Sequence, residues 1–325
     1  MGKYDLSLVR ARVNKALAKD EDDADVILNG SMVPQINWND SNSHIVMPDW
    51  FKKISTIPGL PFGIIAEFVG LPNAGKTTAG IIALVRAQAQ GFITILVDVE
   101  KKFPYKRFVD MGGSLPDLEV IDDISIEQNF NDLELFQEEI HEEFPDAKMV
   151  VLYDSVATGS TRADLAKTML DPQVMADKAK VLKRAFQRQV VNCKLYNCCF
   201  ISINQMYGDP NPAKHGAPSL SGGKGLEYAK SLSITFQKFA KLPPKIIDGE
   251  KLERGIITKM KTTKNHLQIG PLSYAEVLLH VTDIEMVLAS ASKKTKKNKH
   301  GQDVEVAIVE SGEEVELDRE DEQGS

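Results

Sequence analysis

Cysteine is scarce in this 325-residue chain, and long apolar runs are missing from it. The three cysteines, Cys193, Cys198 and Cys199, form no C-x-x-C pair and have no histidine close by in the sequence. This spacing argues against a zinc site or a disulfide framework and favours reduced thiols in a buried region. A membrane-spanning helix needs about 18 consecutive apolar residues. The chain has no such stretch, so we expect no membrane span.

The N-terminal segment lacks the apolar centre that a secretory signal peptide needs. Charged residues are spread through it instead: Asp5, Arg10, Arg12, Lys15 and Lys19. We therefore expect a cytoplasmic protein. The composition, 42% apolar and 26% charged, excludes collagen, a long coiled coil and wholesale disorder. The length suits one large domain or two of moderate size.

Charge is distributed unevenly, although the net charge is only −7. Residues 301–325 carry ten acidic side chains and one arginine, a charge of −9, so residues 1–300 sum to +2. A lysine run precedes them, comprising Lys293, Lys294, Lys296, Lys297 and Lys299. A basic block followed by an acidic block is typical of a disordered tail. Two roles stay open for it: a solubilising tail, or an electrostatic competitor that covers a basic surface until a polyanion binds.

Residues 3–19 have the apolar spacing of a short amphipathic helix. The apolar positions are Leu6, Val9, Val13, Ala16 and Leu17. A lone helix of this length is marginal in water. It must therefore pack either on its own core or on a neighbouring subunit.

The middle of the chain alternates between short apolar runs and helical patterns. The apolar runs are Ile64–Val69, Phe92–Val97, residues 117–122, Met149–Tyr153 and Cys198–Ile203. The helical patterns cover Thr77–Gln90 and residues 127–143 and 173–196. This alternation predicts an α/β fold with a mostly parallel central sheet and helices on both faces. Three further runs predict antiparallel strands at one edge: Ser231–Phe239, Gly255–Lys261 and Tyr274–Val281.

A complete G-x4-G-K-[ST] motif lies between a predicted strand and a predicted helix. It reads Gly70, Leu71, Pro72, Asn73, Ala74, Gly75, Lys76, Thr77. Its glycines let the backbone wrap around phosphates, and its N–H groups and the helix N-terminus bind their oxygens. Lys76 is expected to reach the β- and γ-phosphates and Thr77 to bind Mg²⁺. The alternative is a glycine turn that binds nothing.

Such a nucleotide site also needs a second carboxylate, and the buried run Met149–Asp154 ends in one. Asp154 would hold Mg²⁺ through its water shell. Hydrolysis further needs a group that orients the attacking water. Asp98 and Glu100 end another apolar run, and the carboxyl ends of parallel strands open onto one crevice. Spacing alone does not choose between these two acids.

Two amides, Asn204 and Gln205, end the run that starts at Ile201. An amide at that edge could contact the γ-phosphate and report its loss. The alternative is that both residues only cap the strand.

The ordered set of motifs resembles RecA/Rad51-type recombinases, closest in style to the bacterial RecA and phage UvsX group. The resemblance covers roughly residues 45–285. It rests on the segments Pro58–Glu67, Gly70–Thr78, Val97–Glu100, Val151–Ala157, Ile201–Gln205, Ser221–Ala229 and Lys259–His266. It implies a RecA-like P-loop NTPase core that binds ATP and Mg²⁺.

The resemblance also assigns roles to residues. It selects Glu100 as the catalytic glutamate and Gln205 as the sensor of the γ-phosphate, with Lys76 completing the catalytic set. The P-loop through Thr78 binds ATP, and Thr77 and Asp154 hold Mg²⁺. The basic segment that reaches the neighbouring subunit's ATP contains Lys264 and His266, and the histidine stands where a second basic residue is expected.

Two DNA-binding loops would follow the strands of Asp154 and Gln205, at about Ala157–Pro172 and Met206–Gly222. Both are polar and too long for tight turns, which suits mobile loops that contact phosphates with little base readout. The candidate DNA-binding residues are Arg162, Lys167, Tyr207, Lys214, His215, Gly222, Gly223 and Lys224. Tyr207 could stack on a base or simply anchor its loop.

The resemblance implies helical filaments on single-stranded DNA, with ATP between subunits and pairing with homologous duplex DNA. Single-strand-binding and mediator proteins are further expected partners, in a bacterial cell or a phage-infected host cell. We predict three regions: a polymerisation helix and linker (1–44), the ATPase core with both DNA loops (45–285), and a basic then acidic disordered tail (286–325). Because the sequence after residue 285 is short and mostly charged, we expect no counterpart in it of the folded C-terminal domain of bacterial RecA.

Three function classes follow, of which a strand-exchange recombinase with DNA-dependent ATPase activity is favoured. A second class is another RecA-fold motor, such as a helicase or a branch-migration enzyme. A helicase would need a separate N-terminal domain or an arginine finger. The third class is an ATP-binding filament scaffold, which the intact catalytic set argues against.

Overall fold

The computed structural model describes residues 7, 11–13, 15, 35–167, 175–207, 219–220, 223–242, 245–247, 250–252, 255–267, 277–282, 285–289, 291–297, 303–309 and 314–316. The chain divides into two units, Met1–Asn39 and Asp40–Ser325. In the first unit, Ser7, residues 11–13 and Lys15 are helical. They lie within the predicted amphipathic helix, whose packing partner stays a prediction.

The second unit begins with a short 3-10 helix at Ser41–Ser43. Its described α-helices are α1 (Asp49–Ser55), α2 (Lys76–Ala89), α3 (Tyr105–Asp110), α4 (Ile126–Glu143), α5 (Arg162–Leu165), α6 (Met175–Leu195) and α7 (Gly223–Ala229). None of these helices combines the length and apolar character needed to span a membrane.

The strands before residue 230 are β1 (His44–Val46), β2 (Gly59–Pro61), β3 (Ile64–Gly70), β4 (Ile93–Asp98), β5 (Leu118–Ile121), β6 (Met149–Asp154), β7 (Cys198–Tyr207) and β8 (Ser219–Leu220). Those after it are β9 (Leu232–Lys241), β10 (Lys245–Ile247), β11 (Glu250–Leu252), β12 (Ile256–Asn265), β13 (Val277–Val281), β14 (Met286–Ala289), β15 (Ala291–Lys297), β16 (Asp303–Val309) and β17 (Glu314–Glu316).

One large sheet organises the second unit. Its strands follow the order β14-β13-β12-β9-β3-β7-β6-β4-β5, and β8 pairs with β7. Neighbours from β9 to β5 are parallel, whereas β12, β13 and β14 add antiparallel pairs. The prediction of a mostly parallel sheet with antiparallel edge strands is confirmed.

The direction of β9 corrects one detail of that prediction. This strand was expected among the antiparallel ones, but it runs parallel to β3. The chain passes from β7 through α7 before it enters β9. A helical crossover of this kind returns the chain to the same end of the sheet, which makes the next strand parallel.

Helices cover both faces of the parallel strands because side chains alternate along each strand. Met149, Val151 and Tyr153 of β6 share a core cluster with residues of α4 and α6. Leu152 lies between them and faces α2, where a Cβ built at Gly80 would lie 2.8 Å from the leucine Cδ1. The predicted helical layers on both faces are therefore present.

Four aromatic rings form the centre of the cluster under α4 and α6. They belong to Phe130, Tyr153, Phe186 and Phe200, and their contacting centroids lie 5.3 to 6.1 Å apart. Cys193 and Cys198 belong to the same cluster. All three cysteines are buried free thiols, as the sequence predicts.

The chain beyond residue 285 differs from the predicted disordered tail. Strand β14 extends the large sheet by pairing with β13, and the side chain of Met286 is buried. Strands β15, β16 and β17 form a separate antiparallel sheet. The prediction is therefore wrong for the part of residues 286–325 that the structure describes.

Alternating apolar residues explain this difference. Val304, Val306 and Ile308 are separated by single residues, which gives the acidic segment the period of two that is typical of a strand. The register then places the acidic strand beside the lysine run, with Lys297 opposite Asp303. The alternating apolar pattern therefore predicts a strand here, whereas the number of charged residues alone predicts disorder.

Removing the ring at the centre of the aromatic cluster should cost much of the stability of the core. We expect Phe200→Ala to lower the free energy of unfolding by about 3–5 kcal/mol, because the cavity cannot collapse among three other rings. Urea unfolding followed by circular dichroism measures the change. The control is Phe144→Ala, since Phe144 is 59% exposed. Equal losses in the two variants would contradict this account of the core.

Candidate nucleotide site

The P-loop connects β3 to α2 and depends on two glycines. A Cβ at Gly70 would lie 2.1 Å from the carbonyl oxygen of Phe236, so a side chain cannot be accommodated where β3 ends. Gly75 has a φ of 93° at the N-cap of α2, a left-handed conformation that glycine adopts without strain. The first N–H groups of α2 have no partner within the helix and are suited to bind an anion.

Two side chains at the start of α2 complete the loop. Lys76 Nζ donates to the carbonyl oxygens of Gly70 (2.9 Å) and Leu71 (2.6 Å). Burial lowers the pKa of Lys76 to about 8, although the carboxylates of Asp154 and Glu100 oppose the shift. Thr77 Oγ1 donates to Asp154 Oδ2 at 3.0 Å. The predicted P-loop residues therefore meet the carboxylate that ends β6.

Asp154 is a buried acid at the carboxyl end of β6. Burial raises its pKa to about 7, and the charge of Glu100 adds to the shift, whereas the Thr77 hydroxyl and the Lys76 ammonium oppose it. A hydroxyl and a carboxylate oxygen within hydrogen-bond distance are donors that suit Mg²⁺. A bound cation would also remove the cost of an ionised buried carboxylate. The residues present therefore fit the predicted Mg²⁺ site.

Glu100 lies beside Asp154 because of how β4 ends. Asp98 is opposite Asp154 in the sheet, and the next two backbone N–H groups, of Val99 and Glu100, donate to the Asp154 carbonyl oxygen at 2.9 and 3.1 Å. The Glu100 carboxylate then accepts from Ser155 Oγ at 2.6 Å. The chain after β4 thus turns around the Asp154 carbonyl oxygen, and this turn brings Glu100 into the site.

The two acids that spacing could not separate have different surroundings. The Asp98 carboxylate accepts from the backbone N–H groups of Lys102 and Phe103, both at 3.3 Å. It therefore stabilises the turn that follows β4. Glu100 Oε1 also accepts from Gln205 Nε2 at 3.0 Å. This geometry supports Glu100, and not Asp98, as the group that orients water.

The two amides at the end of β7 face opposite sides of the sheet, as neighbouring strand residues do. Gln205 points to Glu100, whereas Asn204 Nδ2 donates to the buried Glu67 Oε1 at 2.9 Å. The predicted sensor Gln205 is therefore the amide that reaches the site.

Sequence reasoning missed three residues that hold these groups in place. Ser155 binds Glu100, and its position next to Asp154 was the available signal. Thr258 Oγ1 donates to the P-loop carbonyl of Ala74 at 3.0 Å. Arg107 Nη2 donates to Thr78 Oγ1 at 2.7 Å. The last two come from distant segments, so only the tertiary structure reveals their contacts.

The basic pair predicted to act on a neighbouring subunit lies elsewhere in the fold. Lys264 Nζ donates to the carbonyl oxygen of Glu227 in α7 at 2.7 Å. The backbone N–H of His266 donates to the carbonyl oxygen of Ser231 at 2.9 Å. Among the described residues, neither of these two bonds is a direct contact with the group around Glu100. Action on a neighbouring subunit stays a prediction.

The predicted DNA-binding residues are only partly described. The backbone N–H of Arg162 donates to Glu127 Oε2 at 3.1 Å, and Lys167 Nζ pairs with Asp164 Oδ1 at 3.3 Å. Tyr207 ends β7, and Gly223 and Lys224 begin α7. Three others lie outside the described residues: Lys214, His215 and Gly222. The structure thus leaves the DNA-binding set untested.

Replacing the buried acid should stabilise the metal-free protein while it removes the metal site. The folded pKa of Asp154, about 7, exceeds the ordinary carboxyl value. The folded chain then binds more protons, and its free energy of unfolding falls as pH rises from about 4 to 7. We expect Asp154→Asn to raise the free energy of unfolding by more than about 1 kcal/mol at pH 8 in EDTA. The gain should shrink as the pH is lowered towards 4.

Thermal unfolding in EDTA across that pH range measures the difference. The control is Asp146→Asn, which removes an exposed carboxylate and should leave the stability unchanged. A gain that is the same at every pH would show that the Asp154 carboxylate is not the cause.

The sequence of this chain is similar to those of known proteins. A family model described as the RecA N-terminal domain matches residues 50–284. Protein RecA of Chloroherpeton thalassium is 30% identical over 210 residues, which cover 64% of this chain and 55% of that protein. Protein RecA of Chlorobium chlorochromatii is 29% identical over 226 residues, 68% of this chain and 59% of that protein. The chain thus spans less than two thirds of the length of these curated relatives. Because the family model matches most of the chain, this protein belongs to the RecA family of recombinases.

Proposed function

We propose that this protein is a DNA-dependent ATPase that forms helical filaments on single-stranded DNA and promotes strand exchange with homologous duplex DNA. Its place of action is the cytoplasm of a bacterium or of a phage-infected cell. The observation that carries the proposal is the bond between Gln205 and Glu100 beside the P-loop. It joins a candidate catalytic acid to the strand from which the second predicted DNA loop starts.

Different residues of the site have different roles in ATP hydrolysis. Lys76 supplies a positive charge to the phosphates, and the N–H groups of the P-loop and α2 bind their oxygens. Thr77 and Asp154 would hold Mg²⁺, which would neutralise phosphate charge. Arg107 holds Thr78, next to these ligands. A nucleoside triphosphate held by these residues would have its γ-phosphate near Glu100.

Glu100 is suited to act as the general base. Both hydrogen bonds that its carboxylate accepts from the described residues reach Oε1, from Ser155 and Gln205. These two donors fix the orientation of the carboxylate. Oε2 is then the oxygen that accepts the proton of the attacking water. That water forms a bond to the γ-phosphorus in line, while the bond from this phosphorus to the bridging oxygen of the leaving ADP breaks.

The same bonds suggest how DNA binding and hydrolysis communicate. Gln205 lies two residues before the end of β7, where the second predicted loop begins. Ser155 is followed by the first predicted loop, and its hydroxyl lies 3.4 Å from that of Thr158. Ordering either loop on DNA would restrain the groups that orient Glu100. Such order–disorder coupling to a γ-phosphate is a known switching device of NTPases.

The first experiment is ATP hydrolysis by the full chain with and without single-stranded DNA, with the same samples imaged by electron microscopy. We expect DNA to stimulate hydrolysis and helical filaments to form. We further expect Glu100→Gln to retain ATP binding and to lower turnover by at least about 100-fold, because the base is lost. This variant should form long-lived filaments on DNA.

The matched control is Glu139→Gln, an equal charge change at an exposed position of α4, which should hydrolyse ATP normally. Retained turnover in Glu100→Gln would remove Glu100 from the role of base. Rings, or hydrolysis indifferent to DNA, would favour a RecA-fold motor. ATP binding and filaments without turnover would favour a scaffold.

The acidic segment offers a second test. Strand β16 pairs with the lysine-rich β15, so a polyanion and the acidic strand would compete for the same basic run. We expect a chain that ends at residue 300 to bind single-stranded DNA more tightly at low salt, because −9 of charge is removed. The difference should vanish at high salt, where the charges are screened.

A full-length variant in which the acids of residues 301–325 are changed to amides separates the loss of charge from the loss of the strand. Fluorescence anisotropy with labelled DNA measures affinity. Equal affinities at low salt for all three chains would make the segment a solubiliser only.

A further inference from the structure

A carboxylate is completely buried in the middle of the sheet, three residues before the P-loop. Glu67 of β3 has no exposed surface. It accepts three hydrogen bonds, from Asn204 Nδ2 (2.9 Å), Lys230 Nζ (2.7 Å) and Ser233 Oγ (2.8 Å). The three donors belong to β7, the residue after α7, and β9. Glu67 thus joins β3 to β7 and to the junction between α7 and β9, which lie 137 to 166 positions further along the sequence.

Stability alone is a weak explanation for this ion pair. Lys230 is only 4% exposed, so both charges have lost their water. Apolar residues of similar volume often stabilise a core as well as a buried ion pair does, or better. Burial lowers the pKa of Lys230, but the carboxylates of Glu67 and Glu227 raise it by more, so the ammonium stays charged. The pair therefore calls for a role besides packing.

The bonds of this pair extend in two directions. Towards the nucleotide site, Asn204 Oδ1 accepts from the backbone N–H of Gln205 at 2.9 Å, and the side chain of Gln205 binds Glu100. Towards α7, Lys230 Nζ also pairs with Glu227 Oε2 at 2.7 Å. The carbonyl oxygen of Glu227 accepts from Lys264. A continuous series of polar contacts thus runs from Glu100 to Lys264.

We propose that Glu67 and Lys230 are positioning residues that couple the Gln205 end of β7 to helix α7 and to Lys264. This inference rests on the proposed function, because α7 follows the second predicted DNA loop. The pair fixes the distance between the strand that carries Gln205 and the helix that ends that loop. When the loop binds DNA, the position of α7 is transmitted through Lys230, Glu67 and Asn204 to the orientation of Gln205 and Glu100.

The decisive variant removes the connection without leaving a buried charge unpaired. In Glu67→Gln/Lys230→Met, the glutamine carbonyl can still accept from Asn204, whereas the bond to Glu227 is lost. We expect the double variant to unfold at nearly the wild-type temperature and to bind ATP with nearly wild-type affinity. Its stimulation by single-stranded DNA should fall at least about threefold, a typical effect of mutations that modulate coupling.

The matched control is Glu134→Gln/Arg188→Met, which removes a second ion pair of the same charge composition between α4 and α6. It should retain wild-type stimulation. A double variant of Glu67 and Lys230 that is stable and fully stimulated by DNA would overturn the proposal. If wild-type hydrolysis is itself indifferent to DNA, the proposed function is wrong and this inference falls with it. The two failures can be distinguished. Failure of the proposed function is seen in the wild-type protein, whereas failure of this inference alone is seen only in the double variant.

A second variant keeps the test decisive if the buried substitutions prevent folding. Glu227 is half exposed, so Glu227→Gln should leave the unfolding temperature nearly unchanged. It weakens the contact between Lys230 and α7, and we expect a smaller but measurable loss of stimulation by DNA. Wild-type stimulation in Glu227→Gln would show that the contact carries no coupling and would overturn the proposal.

Discussion

The parallel register of β4, β6 and β7 is the constraint on which the site depends. It places the carboxyl ends of these strands at one edge of the sheet, where the backbone N–H of Glu100 donates to the Asp154 carbonyl oxygen. The side chains of Ser155 and Gln205 then both donate to the same oxygen, Oε1 of Glu100. The geometry of the candidate site is therefore a consequence of sheet pairing.

Several groups around the P-loop would be more stable in water than where they lie. Burial raises the pKa of Asp154 and lowers that of Lys76. The large aromatic and aliphatic core beneath α4 and α6 offsets these costs. This division is common in enzymes, where a stable scaffold holds a site that is itself unfavourable. The charged groups beside the P-loop are thus held in place at a cost in stability.

Two expectations failed for reasons that are physical. A count of charges predicted disorder after residue 285, but alternation of Val304, Val306 and Ile308 gives that segment a strand pattern that pairs with the lysine run. The direction of β9 was mistaken because an apolar run has the same composition in a parallel or an antiparallel strand. The direction of β9 depends on the crossover through α7. The segment that precedes this helix has no apolar periodicity from which a crossover could be predicted.

The sequence by itself determined the parallel α/β core, the P-loop and the identity of Asp154 as the acid that ends β6. Local patterns suffice for these, since alternation and motif spacing act over a few residues. Spacing alone left Asp98 and Glu100, and Asn204 and Gln205, as alternatives, and the resemblance favoured Glu100 and Gln205. Only the tertiary structure shows that these two side chains are hydrogen-bonded to each other. It also revealed the partnership of Glu67 with Lys230, which are 163 positions apart. Such choices depend on which side of a strand a residue faces and on what distant segment lies there, and a single sequence does not encode that locally.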